Sequence, residues 1–362
     1  MGKIKLGIIG NGWRTGAYLR IVKELPELFE LTGIFFRDAA KASAFEQSGG
    51  GRAYTSWNEF IGSNNDYVIL SVARKAVLEY CERLYRAGIP VLCETPPANG
   101  LSELITAWEL KKRYNASIQV FEQCHRYPYL AAVQNAVSDG LLGRIHSLNF
   151  SMLHDYHAIS VARKLFRAGF SEVSISAQCY YFPVTATCGR SGMTDSQHVS
   201  TDSLRKVAAF CFAGGNVLFY DFCNDQYFNY INTRHMRVQG EQGEVCDMKV
   251  NYLTPDGTPV TSELHRIDTG LNSNLEGYFH RGIMLDGRFL YKSPFSQYTA
   301  ARLNDDELAT AECMLKMKEY IESGKEFYPL EEALQDTYLS LLMDRSIAEK
   351  VTVRSEKQPW MR

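Results

Sequence analysis

Close to its start the chain reads as an apolar strand over residues 3–9. It then breaks into Gly10-Asn11-Gly12-Trp13-Arg14-Thr15-Gly16 and resumes as a helical pattern over 14–24. A strand, a glycine turn and a helix in that order leave few folds open. The first glycine permits a tight turn, the second lets backbone approach a pyrophosphate, and the first helical amides meet the anion. Thr15 stands at the third glycine position and Gly16 follows one residue late. The turn is read as a dinucleotide cradle formed by Gly10, Asn11, Gly12, Trp13, Arg14 and Thr15.

Strand and helix signals alternate through residue 123. Strands are expected at 29–36, 67–72, 91–93 and 117–121, and helices at 39–47, 77–87 and 102–114. Such alternation predicts a parallel sheet with right-handed crossovers, hence an α/β, doubly wound Rossmann domain over 1–123. After Pro128 the texture changes. Helices are expected at 131–138 and 161–168, strands at 144–153, 207–212, 216–223, 235–239 and 244–252, and closing helices at 305–323 and 330–350. Runs of strands predict an α+β domain over 124–362 on a large, mostly antiparallel open sheet. The 21 Tyr and 19 Phe suggest that one aromatic face of this sheet pairs copies into a homodimer or homotetramer.

Composition narrows the partners. A net charge of -2 without a basic block argues against nucleic acid and against an anionic membrane surface. No apolar run approaches the roughly 20 residues of a membrane span, and the amino terminus lacks a secretory pattern. The 9 cysteines are scattered, with no Cys-x-x-Cys pair, and are expected as buried thiols in a cytoplasmic protein.

The second strand ends Phe35-Phe36-Arg37-Asp38, where a ribose-binding residue is usually placed. Arg37 suits a 2′-phosphate or the face of adenine, and Asp38 suits the ribose. Within NAD(P), this tilts the expectation toward NADP. Ser71 and Gln123, at the ends of later strands, are further cofactor candidates.

Glu94-Thr95-Pro96 follows the 91–93 strand. Arg126-Tyr127-Pro128, Gly143-Arg144-Ile145-His146-Ser147, Gln239-Gly240-Glu241-Gln242-Gly243 and Tyr328-Pro329-Leu330 come after it in that order. Together with the glycine turn, the series resembles the glucose–fructose oxidoreductase / inositol dehydrogenase / MocA (Gfo/Idh/MocA) family over nearly the whole chain. The resemblance implies a nicotinamide across the strand ends, contacted by Glu94, Thr95 and Pro96, with substrate held between the two domains. Family members carry a lysine within Glu-Lys-Pro, and a histidine with an acidic partner on a second-domain helix. Here Thr95 replaces the lysine. If His157 aligns with the family histidine, Ser160 stands where the acid would be.

From chemistry alone, His154-Asp155-Tyr156-His157 suits acid–base work, because histidine titrates near neutrality. His157 is the expected acid–base group, with Tyr156 and Asp155 orienting it or relaying its proton and Thr95 in support. His154, His125, Arg126 and Arg163 are expected to contact substrate, the last as an anchor for an anionic group, with a packing or linker role equally open for His125 and Arg126. The bland alternative makes the histidines helix N-terminal residues with Asp155 as the cap, and Arg163 a surface charge. A metal is not expected, since no Cys or Glu accompanies the cluster at ligand spacing. Residues 221–228 mix polar and aromatic side chains in a way that suits carbohydrate contact. The expected activity is reversible hydride transfer between NAD(P) and a hydroxyl carbon of a sugar, glycoside or cyclitol. A redox-assisted glycosidase or lyase with retained NAD, and a catalytically silent cofactor-binding sensor, are the alternatives.

Overall fold

In the computed structural model, residues 2–193, 200–298 and 301–361 are described. The chain divides into two compact units. One comprises 1–131, 266–282 and 291–334; the other comprises 132–265, 283–290 and 335–362.

In the first unit, strands β1 (Ile4–Ile9), β2 (Phe29–Phe35), β3 (Ala53–Tyr54), β4 (Tyr67–Leu70), β5 (Val91–Cys93) and β6 (Ile118–Val120) form one sheet in the order β3-β2-β1-β4-β5-β6. All of its pairings are parallel. Helices α1 (Trp13–Glu24), α2 (Ala39–Gln47), α3 (Trp57–Ile61), α4 (Val77–Arg86) and α5 (Leu101–Tyr114) make the crossovers. This is the doubly wound order, and its direction reverses on either side of β1, where such sheets bind ligand beyond the strand carboxyl ends. The central strands are apolar because both faces are covered: every residue of β4 is buried. On α4, Val77, Tyr80, Cys81, Leu84 and Tyr85 form one buried stripe at helical spacing.

Four more helices follow: α6 (Pro128–Ser138), α7 (Asp155–Phe166), α8 (Asp305–Ser323) and α9 (Leu330–Glu349). The sequence suggested a single break after residue 123, but the segment carrying α8 returns to the first unit. Its Leu308, Ala311, Cys313, Met314 and Met317 join Ile4, Ile8, Tyr18, Ile21 and Phe121 in one hydrophobic cluster. Each such large side chain contributes about 1.5–3 kcal/mol when fully buried. The Tyr67 hydroxyl donates to the Met314 carbonyl at 3.0 Å. Asn304 and Glu307 close a capping box at the start of α8, and Gly324 ends it at φ 74°.

The second unit is built on a nine-stranded sheet. In spatial order its strands are Pro259–Glu263, Lys249–Leu253, Gly243–Cys246, His235–Gly240, Ile145–Ser151, Val217–Cys223, Ser200–Phe212, Val173–Thr185 and Val353–Arg354. Its pairings are antiparallel except that of Ile145–Ser151 with Val217–Cys223. Helix α7 starts well before the expected residue 161. His154 takes the extended N-cap conformation and Arg167 ends the helix in the left-handed region.

Candidate active site

The glycine turn of the first unit is built around one close approach. Gly10 has φ 116°, and a Cβ there would lie 1.9 Å from the Ser71 carbonyl oxygen. No other residue fits, so β1 can turn tightly beside the end of β4. The Ser71 amide donates to the Ile9 carbonyl at 2.9 Å, which fixes the two strand ends together. Thr15 does not obstruct the cradle. Its hydroxyl donates to the Gly10 carbonyl at 3.1 Å, and its amide donates to the Gly12 carbonyl at 3.1 Å. Threonine at the third glycine position therefore locks the turn from inside.

Gly12 is the N-cap of α1 and no side chain caps the helix. A Cβ at Gly12 would meet nothing within 4 Å. The first amides of α1 therefore carry no side-chain cap, and the partial positive charge of the helix terminus favours an anion there. Asn11 and Trp13 are exposed beside it.

Arg14, expected to contact cofactor, turns its guanidinium inward instead. Nε donates to Glu94 Oε1 at 3.0 Å, one terminal nitrogen to Asp306, and the other to Thr310 Oγ1 at 2.8 Å. The Tyr18 hydroxyl also donates to Glu94. Burial works against the Arg14 charge, but Glu94 and Asp306 outweigh it and raise its pKa. Burial pushes the Glu94 carboxyl up, with Arg14 opposing. Asp306 is also pushed up by burial, yet Arg14 and hydrogen bonds from Tyr127 and Gln123 leave it lower than usual. Gln123 is thereby tied to Asp306 at 3.2 Å, at the end of β6. Arg126 pairs with Glu312, and the buried His125 ring stacks on Tyr328 at 5.3 Å. The Arg126 guanidinium so placed is part of the packing of α8, the role the sequence left open for it beside a substrate contact.

Thr95 is half-buried, its amide 3.3 Å from Glu94 Oε2, and Pro96 is buried after it. At the end of β2, Arg37 and Asp38 are both exposed. Asp38 caps α2: its Oδ1 accepts from the amides of Ala40 at 2.8 Å and Lys41 at 3.2 Å.

In the second unit the 154–157 cluster gathers at the start of α7. The His154 and His157 rings lie 4.8 Å apart at 87°, and Tyr156 packs on both, at 5.0 Å and 4.5 Å. Tyr156 and His157 are buried, while His154 is half-buried. Asp155 neither caps the helix nor orients His157. Its carboxylate accepts from Lys206 Nζ at 3.1 Å and from the Tyr220 hydroxyl at 3.3 Å, and its amide donates to that hydroxyl at 3.0 Å. Asp155 sits at φ 39°, a strained value for a residue with a side chain, and these bonds hold it there. Ser160 donates to the His157 carbonyl at 2.8 Å, so its hydroxyl serves the helix backbone.

Arg163 is another correction. It is buried, donates from Nε to the Gly169 carbonyl at 3.0 Å, and pairs with Asp336 at 2.6 Å. Two strong acceptors inside the unit make it a packing residue, not an anchor for an anionic substrate. Of the 9 cysteines, Cys81, Cys93, Cys124, Cys223 and Cys313 are buried as expected, but Cys179, Cys211 and Cys246 are exposed; all are free thiols. Sequence reasoning missed Asp306, Lys206 and Tyr220. The acids at 305–307 announced only a helix start, and nothing local marks the other two.

Comparison with known proteins places these features. Residues 4–122 match the family model GFO_IDH_MocA, described as an oxidoreductase family with an NAD-binding Rossmann fold. The rhizopine catabolism protein MocA of Rhizobium meliloti is 24% identical over 148 residues, 40% of this chain. That match spans 46% of the MocA protein, so the chain aligns with about half the length of its curated relative. Among solved structures, an oxidoreductase from Agrobacterium radiobacter in complex with NAD+, L-tartaric acid and magnesium superposes with TM-score 0.68 at 14% identity, over 97% of this chain and 98% of that one. An NAD-binding oxidoreductase from Klebsiella pneumoniae gives TM-score 0.69 at 14% identity, over 98% and 100%. Levoglucosan dehydrogenase in complex with NADH and levoglucosan gives TM-score 0.69 at 16% identity, over 98% and 100%. At these identities the structural likeness is one of fold.

Proposed function

We propose that this chain, whose residues 4–122 match the Gfo/Idh/MocA oxidoreductase family, transfers a hydride between NAD(H) and a hydroxyl carbon of a sugar or cyclitol. The observation that carries the reading is the pair of glycines. Gly10 is required by the Ser71 carbonyl, whereas nothing among the described residues requires Gly12, as a cradle kept free for a diphosphate would have it. When bound, the cofactor supplies a two-electron hydride acceptor or donor at its nicotinamide ring.

The chain's own residues then have separable tasks. Backbone amides at the start of α1 hold the diphosphate. Asp38 uses Oδ1 to cap α2, which leaves Oδ2 for a ribose hydroxyl. A carboxylate there repels a 2′-phosphate, so the reading turns from NADP to NAD, with Arg37 stacking on adenine. Oxidising an alcohol also releases the hydroxyl proton, and His157 is the residue assigned to take it. Thr95, in place of the family lysine, offers a hydroxyl and no charge. Sugar and cyclitol substrates are uncharged polyols, and Arg14 and Arg126 in the first unit and Arg163 in the second are each paired with a carboxylate of their own unit.

No helix among the described residues is long and apolar enough to cross a membrane. The free thiols fit the reducing cytoplasm. We place a homo-oligomer contact on the open sheet of the second unit, where Tyr180, Tyr181 and Phe219 are exposed; sedimentation at micromolar concentration tests it.

Calorimetric titration with NADH and NADPH, followed by an assay across sugars, glycosides and cyclitols, tests the main reading. Binding of NADH in preference to NADPH and reduction of NAD+ by a polyol are expected. Absence of binding to either nucleotide would overturn it. Release of an aglycone without NADH accumulation would favour a redox-assisted glycosidase instead.

A further inference from the structure

Helix α7 opens on Asp155 at φ 39°, in the left-handed region that glycine enters freely and other residues enter at a cost. What holds it there comes from two strands of the nine-stranded sheet, Val217–Cys223 and Ser200–Phe212. The Tyr220 hydroxyl accepts from the Asp155 amide at 3.0 Å and donates to its Oδ1 at 3.3 Å. One phenol therefore grips the backbone and the side chain of the same residue. Lys206 Nζ donates to both Asp155 carboxylate oxygens, at 3.1 Å and 3.3 Å, and to Asp344 Oδ1 of α9 at 2.7 Å. An ammonium has three protons, which matches these three acceptors.

A lysine is an uncommon choice for this place. Lys206 lies opposite Phe222, and Ala208, two residues on, lies opposite Tyr220. Alternate residues share a face of a strand, and Ala208, Tyr220 and Phe222 are all buried. A cation on this row loses solvent and needs partners. Burial works against the Lys206 charge, but Asp155 and Asp344 outweigh it and raise its pKa. A methionine would fill similar space without that cost, so the charge serves the carboxylates.

The residues on either side of Asp155 depend on its conformation. His154, just before it, is tied down: its amide donates to the Tyr227 hydroxyl at 3.0 Å, and its Nδ1 lies 2.7 Å from the same oxygen. The His157 amide donates to the His154 carbonyl at 3.0 Å and closes the first turn across Asp155. The His154, Tyr156 and His157 rings, with centroids 4.5 Å, 4.8 Å and 5.0 Å apart, pack around that turn. With His154 fixed, the φ of Asp155 decides where the helix runs, and so where the His157 ring stands.

We propose that Lys206 and Tyr220 are positioning residues for His157: they clamp Asp155 in the left-handed conformation and thereby fix the first turn of α7. The clamp acts through the backbone, since Asp155 itself makes no bond to the His157 ring. Its consequence for turnover rests on the dehydrogenase reading above; the clamp on Asp155 does not. A reacting group misplaced by about 1 Å loses up to about 100-fold in rate, so a proton acceptor on a helix start needs that start held.

The test compares variants of the full-length protein by turnover and by the ring resonances of 15N-labelled histidine. Lys206→Met should lower turnover by about 10–100-fold and shift the His157 ring resonances. NADH affinity should stay unchanged, because the clamp lies wholly in the second unit. Asp155→Ala and Asp155→Gly leave Lys206 with Asp344. Alanine loses the clamp and resists the left-handed conformation, so it should match Lys206→Met. Glycine enters that conformation unaided, so it should keep turnover well above alanine, and adding Lys206→Met to it should cost less than about 3-fold. Equal turnover in the two Asp155 variants, a full loss on adding Lys206→Met to Asp155→Gly, or unmoved His157 resonances in Lys206→Met would overturn the proposal. If the unsubstituted protein binds no NADH or oxidises no polyol, the dehydrogenase reading falls instead. The clamp is then still judged from the His157 resonances, which should move in Lys206→Met and Asp155→Ala and much less in Asp155→Gly.

Discussion

Arg14 Nε donates to Glu94 Oε1 at 3.0 Å, joining the first turn of α1 to the residue that follows β5. The glycine turn and the Glu94-Thr95-Pro96 turn are thus parts of one ionic network in the first unit. Asp306 and Thr310 of α8 complete it. The network explains why α8, so late in the chain, belongs with the Rossmann sheet. One buried cation satisfies two carboxylates, and each carboxylate has a second donor: Tyr18 for Glu94, Tyr127 for Asp306.

Arg14→Met should therefore destabilise the protein strongly. It leaves two carboxylates facing each other without their shared cation, and breaking a buried pair from one side costs about 3–5 kcal/mol. The Glu94 and Asp306 side chains keep 19% and 32% exposure, so solvent relieves part of this and the lower end is expected. Urea unfolding gives the measurement. A loss below about 1 kcal/mol, the scale of a surface pair, would contradict the network's role.

The same network predicts two opposite dependences on pH. The Asp306 carboxyl is held below its ordinary value of 3.8 despite its burial, so the folded state binds its proton less readily than the unfolded state. Its stabilisation is complete above 3.8 and is lost as pH falls through the folded value. Burial raises the Glu94 carboxyl above 4.5, so its contribution is greatest below 4.5 and declines as pH rises through the folded value. Urea midpoints from pH of about 2 to about 7 should show Asp306→Asn approaching the unsubstituted protein in acid. Glu94→Gln should gain on it as pH rises. Parallel pH profiles for all three proteins would rule this out.

How much of this was legible beforehand follows from distance along the chain. The cradle was readable because its logic is local: Gly10 and Thr15 lie five positions apart and their contact closes one turn. The Arg14 partners Asp306 and Thr310 are 292 and 296 positions away, and no periodicity carries that information. Helix α7 begins at Asp155, at φ 39° and with no side-chain cap, so its start lacks the local signal that marks a capped helix. The strand Ser200–Phe212 was seen only in its last half. Its first half, residues 200–206, is polar except for Leu204 and pairs with exposed Tyr180 and Tyr181, so no hydrophobic pattern marks it. Residues 221–228 did stand out by composition. What composition lacked was the direction of Tyr227, which meets the histidine of a different element.

Asp38→Ser should separate helix capping from nucleotide choice. Serine caps nearly as well as aspartate, so α2 and overall stability should change by only a few tenths of a kcal/mol, ~0.5 at most. Removing the carboxylate lifts the repulsion against a 2′-phosphate while Arg37 remains beside it. NADPH affinity should rise and NADH affinity fall, shifting their ratio by about 10-fold, equivalent to ~1.4 kcal/mol. Fluorescence titration with both nucleotides reads it; an unchanged ratio would remove Asp38 from the ribose site.

The two glycines give the sharpest contrast, because packing requires one and nothing among the described residues requires the other. At Gly10 an alanine Cβ would lie 1.9 Å from the Ser71 carbonyl oxygen, at a φ of 116° that suits no other residue. Gly10→Ala must shift the ends of β1 and β4, and both stability and nucleotide binding should suffer. At Gly12 the same Cβ meets no atom within 4 Å, so Gly12→Ala should unfold at the same urea concentration as the unsubstituted protein. Its methyl group nevertheless enters the space above the first turn of α1, where a diphosphate would approach backbone amides directly. NADH affinity should fall by at least about 10-fold, or ~1.4 kcal/mol. Equal NADH affinity in Gly12→Ala and the unsubstituted protein would mean that nothing approaches that backbone, and the diphosphate would have to lie elsewhere.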